Sequence, residues 1–245
     1  MTPRITLATA ARVLRQLRRD PRTLGLLILV PIVLVTLLDW VFAGRPEVFD
    51  RIGVPLVGVF PLVSMFLVTS IAMLRERTSG TLERLLTLPL AKLDLLLGYA
   101  LAFAVVAVVQ ASLVTAVAVG LLGLDVAGSL ALVVAFAVGN ALLGMALGLF
   151  ASAFAASEFQ AVQFMPAVLL PQILLCGLIA PRPSMARGLE LVSDVLPMTY
   201  AFDALSRLSV GDEEAGRLLL DAAVLAVVTL GALGLGAATL RRRTA

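Results

Sequence analysis

The sequence predicts an all-α protein that crosses a membrane several times. Of its 245 residues, 60% are hydrophobic and 14% are charged, and the mean hydropathy is +1.05. Soluble chains carry about 25% charged residues, which cover their surface, so this chain needs an apolar solvent. Because backbone groups in lipid must be paired within the chain, its long apolar segments are expected to be helices.

Six segments are long and apolar enough to span a bilayer. About 20 apolar residues, each rising ~1.5 Å along a helix, cross a hydrocarbon core ~30 Å thick. The predicted spans are residues 24–42, 52–74, 95–122, 130–154, 161–180 and 218–240. Since neither an internal repeat nor a low-complexity linker separates them, we predict a single membrane domain over residues 1–245.

Basic residues are concentrated on one side of the predicted spans. Thirteen of the 19 lysines and arginines precede the first span, follow the second or follow the last. Short loops rich in these residues stay in the cytoplasm. We therefore predict a multi-pass protein of a bacterial plasma membrane with both termini cytoplasmic.

Residues 1–23 predict an amphipathic helix lying on the membrane surface. Its predicted apolar face consists of Leu7, Ala10, Ala11, Leu14 and Leu17. Arginines on the opposite face are expected to pair with anionic lipid headgroups. Asp20 and Pro21 end the helix and direct the chain into the bilayer. The alternative is a disordered basic tail.

The connection between spans 2 and 3 predicts a separate short helix. Gly80 or Thr81 caps it, Glu83 lies in its first turn, and Pro89 ends it. An apolar ridge is formed by Leu82, Leu85 and Leu86. Such a ridge fits a groove on another protein, and it equally fits the lipid surface, so the spacing alone leaves both interpretations open.

Few polar side chains fall within the spans. They are Asp39, Gln110, Asn140, Gln163, Gln172 and Asp221. Polar groups are costly in lipid and usually face the bundle interior. The amides there either join helices by hydrogen bonds worth about 0.6–2 kcal/mol or contact a substrate. The two aspartates lie near the outer ends of their spans, where interfacial water is within reach.

Small residues form a stripe along the fourth span. They are Ala137, Asn140, Gly144, Gly148 and Ala151, and their spacing predicts close packing against a neighbouring helix. In the turn that follows, Ser157 and Gln160 predict a capping box, with Glu158 at the positive end of the fifth helix.

The connection from 181 to 216 is too hydrophobic for a plain loop. Apolar residues recur at helical intervals on either side of Pro197. We predict two short helices at the outer surface, which are able to enter the membrane where their backbone is buried in protein.

Two groups of motifs resemble a known family. The first group comprises Leu74-Arg75-Glu76-Arg77, Gly80-Thr81-Leu82-Glu83, Leu88-Pro89-Leu90 and Leu97-Gly98. The second comprises Glu158-Phe159-Gln160, Gln163-Phe164-Met165-Pro166, Pro171, Cys176-Gly177, Leu196-Pro197-Met198-Thr199-Tyr200 and Asp203-Ala204-Leu205. In matching order from residue 52 to the C-terminus, they resemble type-2 ABC transporter permeases, particularly the daunorubicin-resistance permease group.

The resemblance implies a set of partners and roles. Such a domain has six spans, pairs with a second permease copy or a sister permease, and is driven by cytoplasmic ABC ATPase subunits. The short helix after span 2 is the coupling helix that touches the ATPase. The coupling role falls on Arg75, Glu76, Arg77, Gly80, Thr81, Leu82, Glu83, Leu85 and Leu86. The outer connection closes the outer gate, a role that falls on Pro197, Tyr200 and Asp203.

The function predicted is that of a non-catalytic permease subunit of an ATP-driven exporter. The chain has neither a GxxxxGK[ST] phosphate loop nor a histidine, so we expect ATP and Mg on the partner ATPase, and neither a cofactor nor a metal on this chain. The substrate class is hydrophobic or amphipathic: a drug, lipid or glycolipid. Expected partners include membrane lipid and exclude nucleic acid. The alternative is an ATP-independent secondary transporter or channel. A membrane-embedded enzyme is disfavoured, because the sequence does not contain the nucleophile or metal-binding set that such an enzyme needs.

Overall fold

A computed structural model describes residues 3–79 and 92–239, without the side chains of residues 92 and 93. Within these ranges the chain forms nine α-helices, a short 3₁₀ turn at Arg182–Ser184, and no strand. The helices are α1 (Pro3–Arg18), α2 (Pro21–Val41), α3 (Pro46–Thr78), α4 (Lys92–Gly120), α5 (Leu130–Ala151), α6 (Glu158–Leu175), α7 (Arg187–Val195), α8 (Pro197–Ser209) and α9 (Ala215–Thr239). Six of them, α2 to α6 and α9, are long and apolar enough to cross a membrane. The prediction of an all-α, multi-pass membrane protein is confirmed.

Some helix bounds differ from the predicted spans. Helix α3 begins at Pro46 rather than at residue 52 and continues to Thr78 rather than 74. Its charged ends extend the helix beyond the apolar stretch, so its 33 residues measure ~50 Å against a hydrocarbon core of ~30 Å. Helix α6 ends at Leu175, short of the predicted 180, because Gly177 turns the chain with a positive φ of 108°.

Helices α3 and α5 form the centre of the bundle. A Cβ added at Gly144 would collide with the backbone of Leu62, and one at Gly148 would collide with the backbone of Phe66. The Thr69 hydroxyl donates a hydrogen bond to the Met145 carbonyl at 3.2 Å. The small-residue stripe of the fourth span is therefore a packing surface, as predicted.

The bundle has two distinct ends. We call one the Arg75 end, where α3 and α5 finish and α4 and α6 begin. The opposite end, the Asp50 end, contains the start of α3 and α5 together with α7 and α8. There the Asp125 amide donates to the Asp50 carboxylate at 2.9 Å, and the Gly128 amide donates to the Leu208 carbonyl at 3.0 Å.

Helix α1 packs on protein, which corrects the predicted apolar face. Thr9, Ala10 and Val13 are buried against α4, whereas Leu7 is exposed. A side chain on Gly98 of α4 would meet Thr9 at once, so this glycine permits the close approach. The buried stripe keeps Ala10, with Leu14 and Leu17 half-buried, but takes in Thr9 and Val13 instead of Leu7 and Ala11, because the helix packs on α4.

The predicted pair of short helices around Pro197 is confirmed as α7 and α8. Helix α8 buries Ala201, Ala204 and Leu205 against α3, α5 and α9. Leu205 occupies the space beside Gly58, where a Cβ would clash with its side chain. Helix α8 also covers the single cysteine, Cys176, which is 1% exposed and clusters with Met198. We call α7 and α8 together the cap.

Candidate functional site

Three charged side chains at the end of α3 contact three other parts of the bundle. The Arg75 guanidinium donates to both carboxylate oxygens of Glu158, at 2.7 and 3.1 Å. Glu76 accepts from Arg12 of α1 at 3.3 Å. Arg77 donates to the Ser152 carbonyl, at the end of α5. The last turn of α3 is therefore tied to α1, α5 and α6 at once.

The Arg75–Glu158 ion pair links α3 to the start of α6. Both side chains are more than half exposed, so the pair contributes less than about 1 kcal/mol to stability. Its bidentate geometry nevertheless fixes the position of α6 relative to α3. Sequence reasoning treated Glu158 as a first-turn acid beside its cap and missed this partner. The Ser157 cap itself is present: its hydroxyl accepts from the Gln160 amide at 3.3 Å.

Arg12, Glu76 and Tyr99 form a cluster that joins α1, α3 and α4. Glu76 is 5% exposed. Arg12 donates to the Tyr99 hydroxyl as well as to Glu76, and its guanidinium lies 5.6 Å from the centre of the Tyr99 ring, within cation–π range. The Glu76 carboxylate therefore lies among the described helices, and its coupling role stays a prediction.

A cavity of about 270 Å³ lies beside this cluster, between α1, α2, α3 and α4. Its polar lining consists of Gln16, Asp20, Thr23, Arg75, Glu76 and Tyr99. The Asp20 carboxylate caps α2, accepting from the Thr23 hydroxyl at 2.6 Å and the Thr23 amide at 3.2 Å. These hydrogen bonds lower the pKa of Asp20, which keeps it ionised at neutral pH.

The rest of the predicted coupling helix lies outside the described residues. This concerns Gly80, Thr81, Leu82, Glu83, Leu85 and Leu86. Their coupling role remains a prediction. Residues 75–79, which precede that segment, form the last turn of α3 and its C-cap, where α3 contacts α1, α5 and α6.

The intramembrane amides mostly join helices. Gln110 donates to the Leu27 carbonyl and the Ser64 hydroxyl, both at 2.6 Å, and Asn140 donates to the Gly58 carbonyl at 3.1 Å. Gln172 donates within its own helix, to Val168 at 3.0 Å. None of these three lines the cavity beside Glu76 or a second, apolar cavity of about 730 Å³ between α5 and α9. These contacts favour the packing interpretation over a substrate path.

Two polar residues depart from expectation. Gln163 is exposed on the outside of α6 and does not face the bundle interior. Asp221 is expected from the sequence to reach interfacial water. In the structure it is only 3% exposed, because it lies on the face of α9 that packs against the bundle. Hydropathy identifies a span but does not give its rotation about its own axis, which accounts for both differences.

The predicted gate residues hold the cap together. Pro197 begins α8, the Tyr200 hydroxyl donates to the Asp194 carbonyl at 2.7 Å, and Asp203 accepts from Arg207 at 2.9 Å. Asp203 and Asp212 beside Arg207 raise the pKa of that guanidinium, with the Asp203 hydrogen bond as the largest cause. Their gating role stays a prediction.

The fold and the tied end define a class of protein: a polytopic helical membrane domain with a charged cluster at one end of its spans. The family model described as "ABC-2 type transporter" matches residues 5–208, most of the chain. The chain belongs to the ABC-2 type transporter family. This confirms the resemblance at the level of the family.

Two curated relatives agree with this assignment. Each is named "Probable multidrug ABC transporter permease YbhR", from Escherichia coli strain K12 and from Escherichia coli O157:H7. Each is 28% identical to this chain over 157 residues, which is 64% of this chain and 43% of the relative. The chain thus matches less than half the length of these relatives.

Proposed function

We propose that this chain is the permease subunit of an ATP-driven exporter of the daunorubicin-resistance-like group. It moves a hydrophobic or amphipathic substrate, such as a drug, lipid or glycolipid, out of the cytoplasm. A separate ABC ATPase binds ATP and Mg and supplies the energy, and this chain is not itself catalytic. Family membership and the relatives' name, which includes "multidrug", support this assignment.

The tied end of α3 is the observation that carries the proposal. The predicted coupling helix, capped by Gly80 or Thr81 and ended by Pro89, comes soon after α3 in the sequence. A displacement of this segment by an ATPase would pull on Arg75, Glu76 and Arg77, which contact α6, α1 and α5 respectively. Motion of this segment would therefore be transmitted to several spans together. A membrane subunit without its own nucleotide site requires such transmission.

Substitutions in the predicted coupling helix test this function. Glu83→Lys reverses a first-turn acid, and Leu82→Asp places a charge in an apolar docking surface. Both variants should accumulate in membranes yet lose co-purification with the ATPase and substrate-stimulated phosphate release. Arg243→Gln, at the far end of the chain, is the control and should change little. Undiminished association and turnover in both variants would favour the ATP-independent transporter or channel.

Both termini are cytoplasmic in this proposal, and the Arg75 end faces the ATPase. The pairing of Glu158 with Arg75 supports placing the 155–160 turn on the same side as the basic connection after span 2. Reporter fusions at Ala245 and at Gly188, in the first turn of α7, should report opposite compartments. If both report the same compartment, this topology is wrong.

A second permease, either another copy or a sister chain, completes the translocation path in this proposal. The interior amides are used for helix packing and leave little polar surface for a path within one chain. Mass measurement of the purified complex in native lipid should give two permeases per complex. Full transport by a complex with a single permease would contradict this.

A further inference from the structure

The cavity beside Glu76 has a polar part and an apolar part. Its polar residues lie at the Arg75 end, while Leu26, Val68, Ile71 and Phe103 line it further along their helices toward the middle of the spans. With a volume of about 270 Å³, it falls just below the ~300–1,000 Å³ of sites that enclose a drug-sized ligand. It therefore suits the charged head of an amphiphile whose tail remains among lipids.

Glu76 has one carboxylate oxygen in use and one without a partner. Oε1 accepts from Arg12, whereas Oε2 accepts no hydrogen bond of good geometry from the described residues, although the Tyr99 hydroxyl lies near this carboxylate and the side chain is only 6% exposed. A buried anionic oxygen without a donor is costly. Since Glu76 lines the cavity, a donor placed there would satisfy it.

The charges around the cavity favour a cation over an anion. Among the described residues the lining carries two acids, Asp20 and Glu76, and one base, Arg75. Glu158 and Arg12 each pair with a lining residue and add one charge of each sign, which leaves one negative charge in excess. Arg75 is engaged by Glu158, and Arg12 by Glu76 and Tyr99. The C-terminal end of α3 and the N-terminal ends of α2 and α4 all meet here, so the helix dipoles oppose one another and the side-chain charges decide the sign.

We propose that this cavity binds the ammonium head of an amphipathic cation that enters from the membrane. Glu76 Oε2 accepts a hydrogen bond from the ammonium group, and Tyr99 and Phe103 offer aromatic rings beside it. The same chemistry belongs to an aminophospholipid headgroup and to a transported cationic amphiphile. Binding does not depend on the ATPase; a role of the cavity as a substrate entry site rests on the proposed function.

Binding is measured on the full chain alone, in nanodiscs of phosphatidylglycerol, by equilibrium dialysis with dodecylammonium after subtraction of empty discs. Wild-type protein should bind dodecylammonium and should not show comparable binding of dodecanol, which lacks the charge. Glu76→Gln should weaken binding about 10-fold or more, because it removes the charged acceptor. Ala72→Leu should weaken it similarly by filling the cavity without a change of charge.

Glu47→Gln is the matched control, since it neutralises an exposed acid of α3 at the Asp50 end. It should bind like wild type. Wild-type binding no greater than that of empty discs, or undiminished binding by either Glu76→Gln or Ala72→Leu, would overturn the site. If Glu76→Gln fails to accumulate, Ala72→Leu decides the question by itself.

The two sources of the ammonium group are separated by native mass spectrometry of protein extracted from mixed phosphatidylethanolamine and phosphatidylglycerol membranes. Retained phosphatidylethanolamine that is lost from both variants identifies a lipid ligand. Dodecylammonium binding without retained phosphatidylethanolamine identifies a cationic amphiphile other than this lipid as the ligand. Neither measurement involves the ATPase, so undiminished ATPase association and turnover in the coupling-helix test would overturn the proposed function and leave this site standing.

Discussion

The Arg75 end of the bundle and the cap are held together by different kinds of side-chain contact. At the Arg75 end, side-chain links join residues 64, 75 and 83 positions apart in the sequence. In the cap, the links of Arg207, Tyr200 and Arg182 join residues 4 to 12 positions apart. The first set connects separate spans, whereas the second shapes a local structure. Beside the cap, two backbone amides also make long-range links, from Asp125 to Asp50 and from Ser129 to Glu213.

This difference indicates how each end responds to force. Spans that share ion pairs and charged hydrogen bonds must move together at the Arg75 end. The cap is internally braced, but α8 meets the spans largely through apolar side chains such as Leu205 against Gly58. Apolar surfaces slide without leaving an unpaired charge, so a shift of the cap breaks mainly the hydrogen bond from the Gly128 amide to the Leu208 carbonyl, while the Arg75 end stays joined by charged contacts.

The largest expected effect comes from Gly148→Leu, which separates α3 from α5. The new side chain meets the backbone of Phe66, which cannot move aside by changing a rotamer. We therefore expect the free energy of unfolding to fall by an amount at the upper end of about 1–3 kcal/mol, or the variant to fail to accumulate. Gly58→Leu should cost less, because the colliding atom belongs to the flexible side chain of Leu205. Membrane accumulation and thermal unfolding in detergent measure both.

Gly25→Leu is the control for these two variants, because nothing lies within 4 Å of a Cβ at that position. It should match wild type. A Gly148→Leu protein as stable as Gly25→Leu would mean that α3 and α5 are not in close contact.

The second-largest loss of stability is expected from breaking the Arg12–Glu76 ion pair between α1 and α3. Arg12→Gln and Glu76→Gln should each lower the free energy of unfolding by about 1–3 kcal/mol, less than the ~3–5 kcal/mol for a fully buried pair because the Arg12 side chain is 33% exposed. The double variant should lose less than the sum of the two single variants. Thermal unfolding of all four proteins completes the cycle, and strict additivity would show that the pair does not interact.

A smaller effect is expected from Tyr200→Phe in the cap. Loss of the bond to the Asp194 carbonyl should cost about 0.5–1.5 kcal/mol and remain local. Hydrogen exchange should therefore accelerate in α7 and the first turn of α8 but not in α1 or the last turns of α3. Acceleration at both ends would remove the distinction between them.

The smallest change in stability is expected from the Arg75–Glu158 pair. Arg75→Glu should cost less than about 1 kcal/mol, because both side chains are more than half exposed. If the pair transmits the ATPase's motion, the same variant should nevertheless lower substrate-stimulated phosphate release, and adding Glu158→Arg should restore it. Release that stays low in the swapped protein would show that orientation, not mere pairing, matters at this site.

Properties that depend on local sequence were predictable. Apolar length identified the six spans, Pro197 separated two short helices, and Gly144 and Gly148 indicated close helix packing. Each of these follows from backbone geometry and hydrophobicity within a short window.

Properties that depend on the relative rotation and height of helices were not predictable. The partners of Glu76 and Glu158 lie 64 and 83 residues away, and the burial of Asp221 and the exposure of Gln163 depend on how α9 and α6 rotate. One signal for the ion pairs was present. Glu76 and Glu158 are acids at span ends that share a side with many arginines, where opposite charges are expected to meet.

Because Cys176 is buried beneath the cap, the reactivity of its thiol measures how often the cap opens. This is the chain's single cysteine, and its thiol lies under Met198 of α8 against Leu56 and Val59 of α3. A maleimide reaches the sulfur only when α8 moves away from α3. The labelling rate of the unmodified protein therefore reports how frequently this opening occurs. The same chain therefore yields a kinetic record of openings at the Asp50 end with no residue introduced for the purpose.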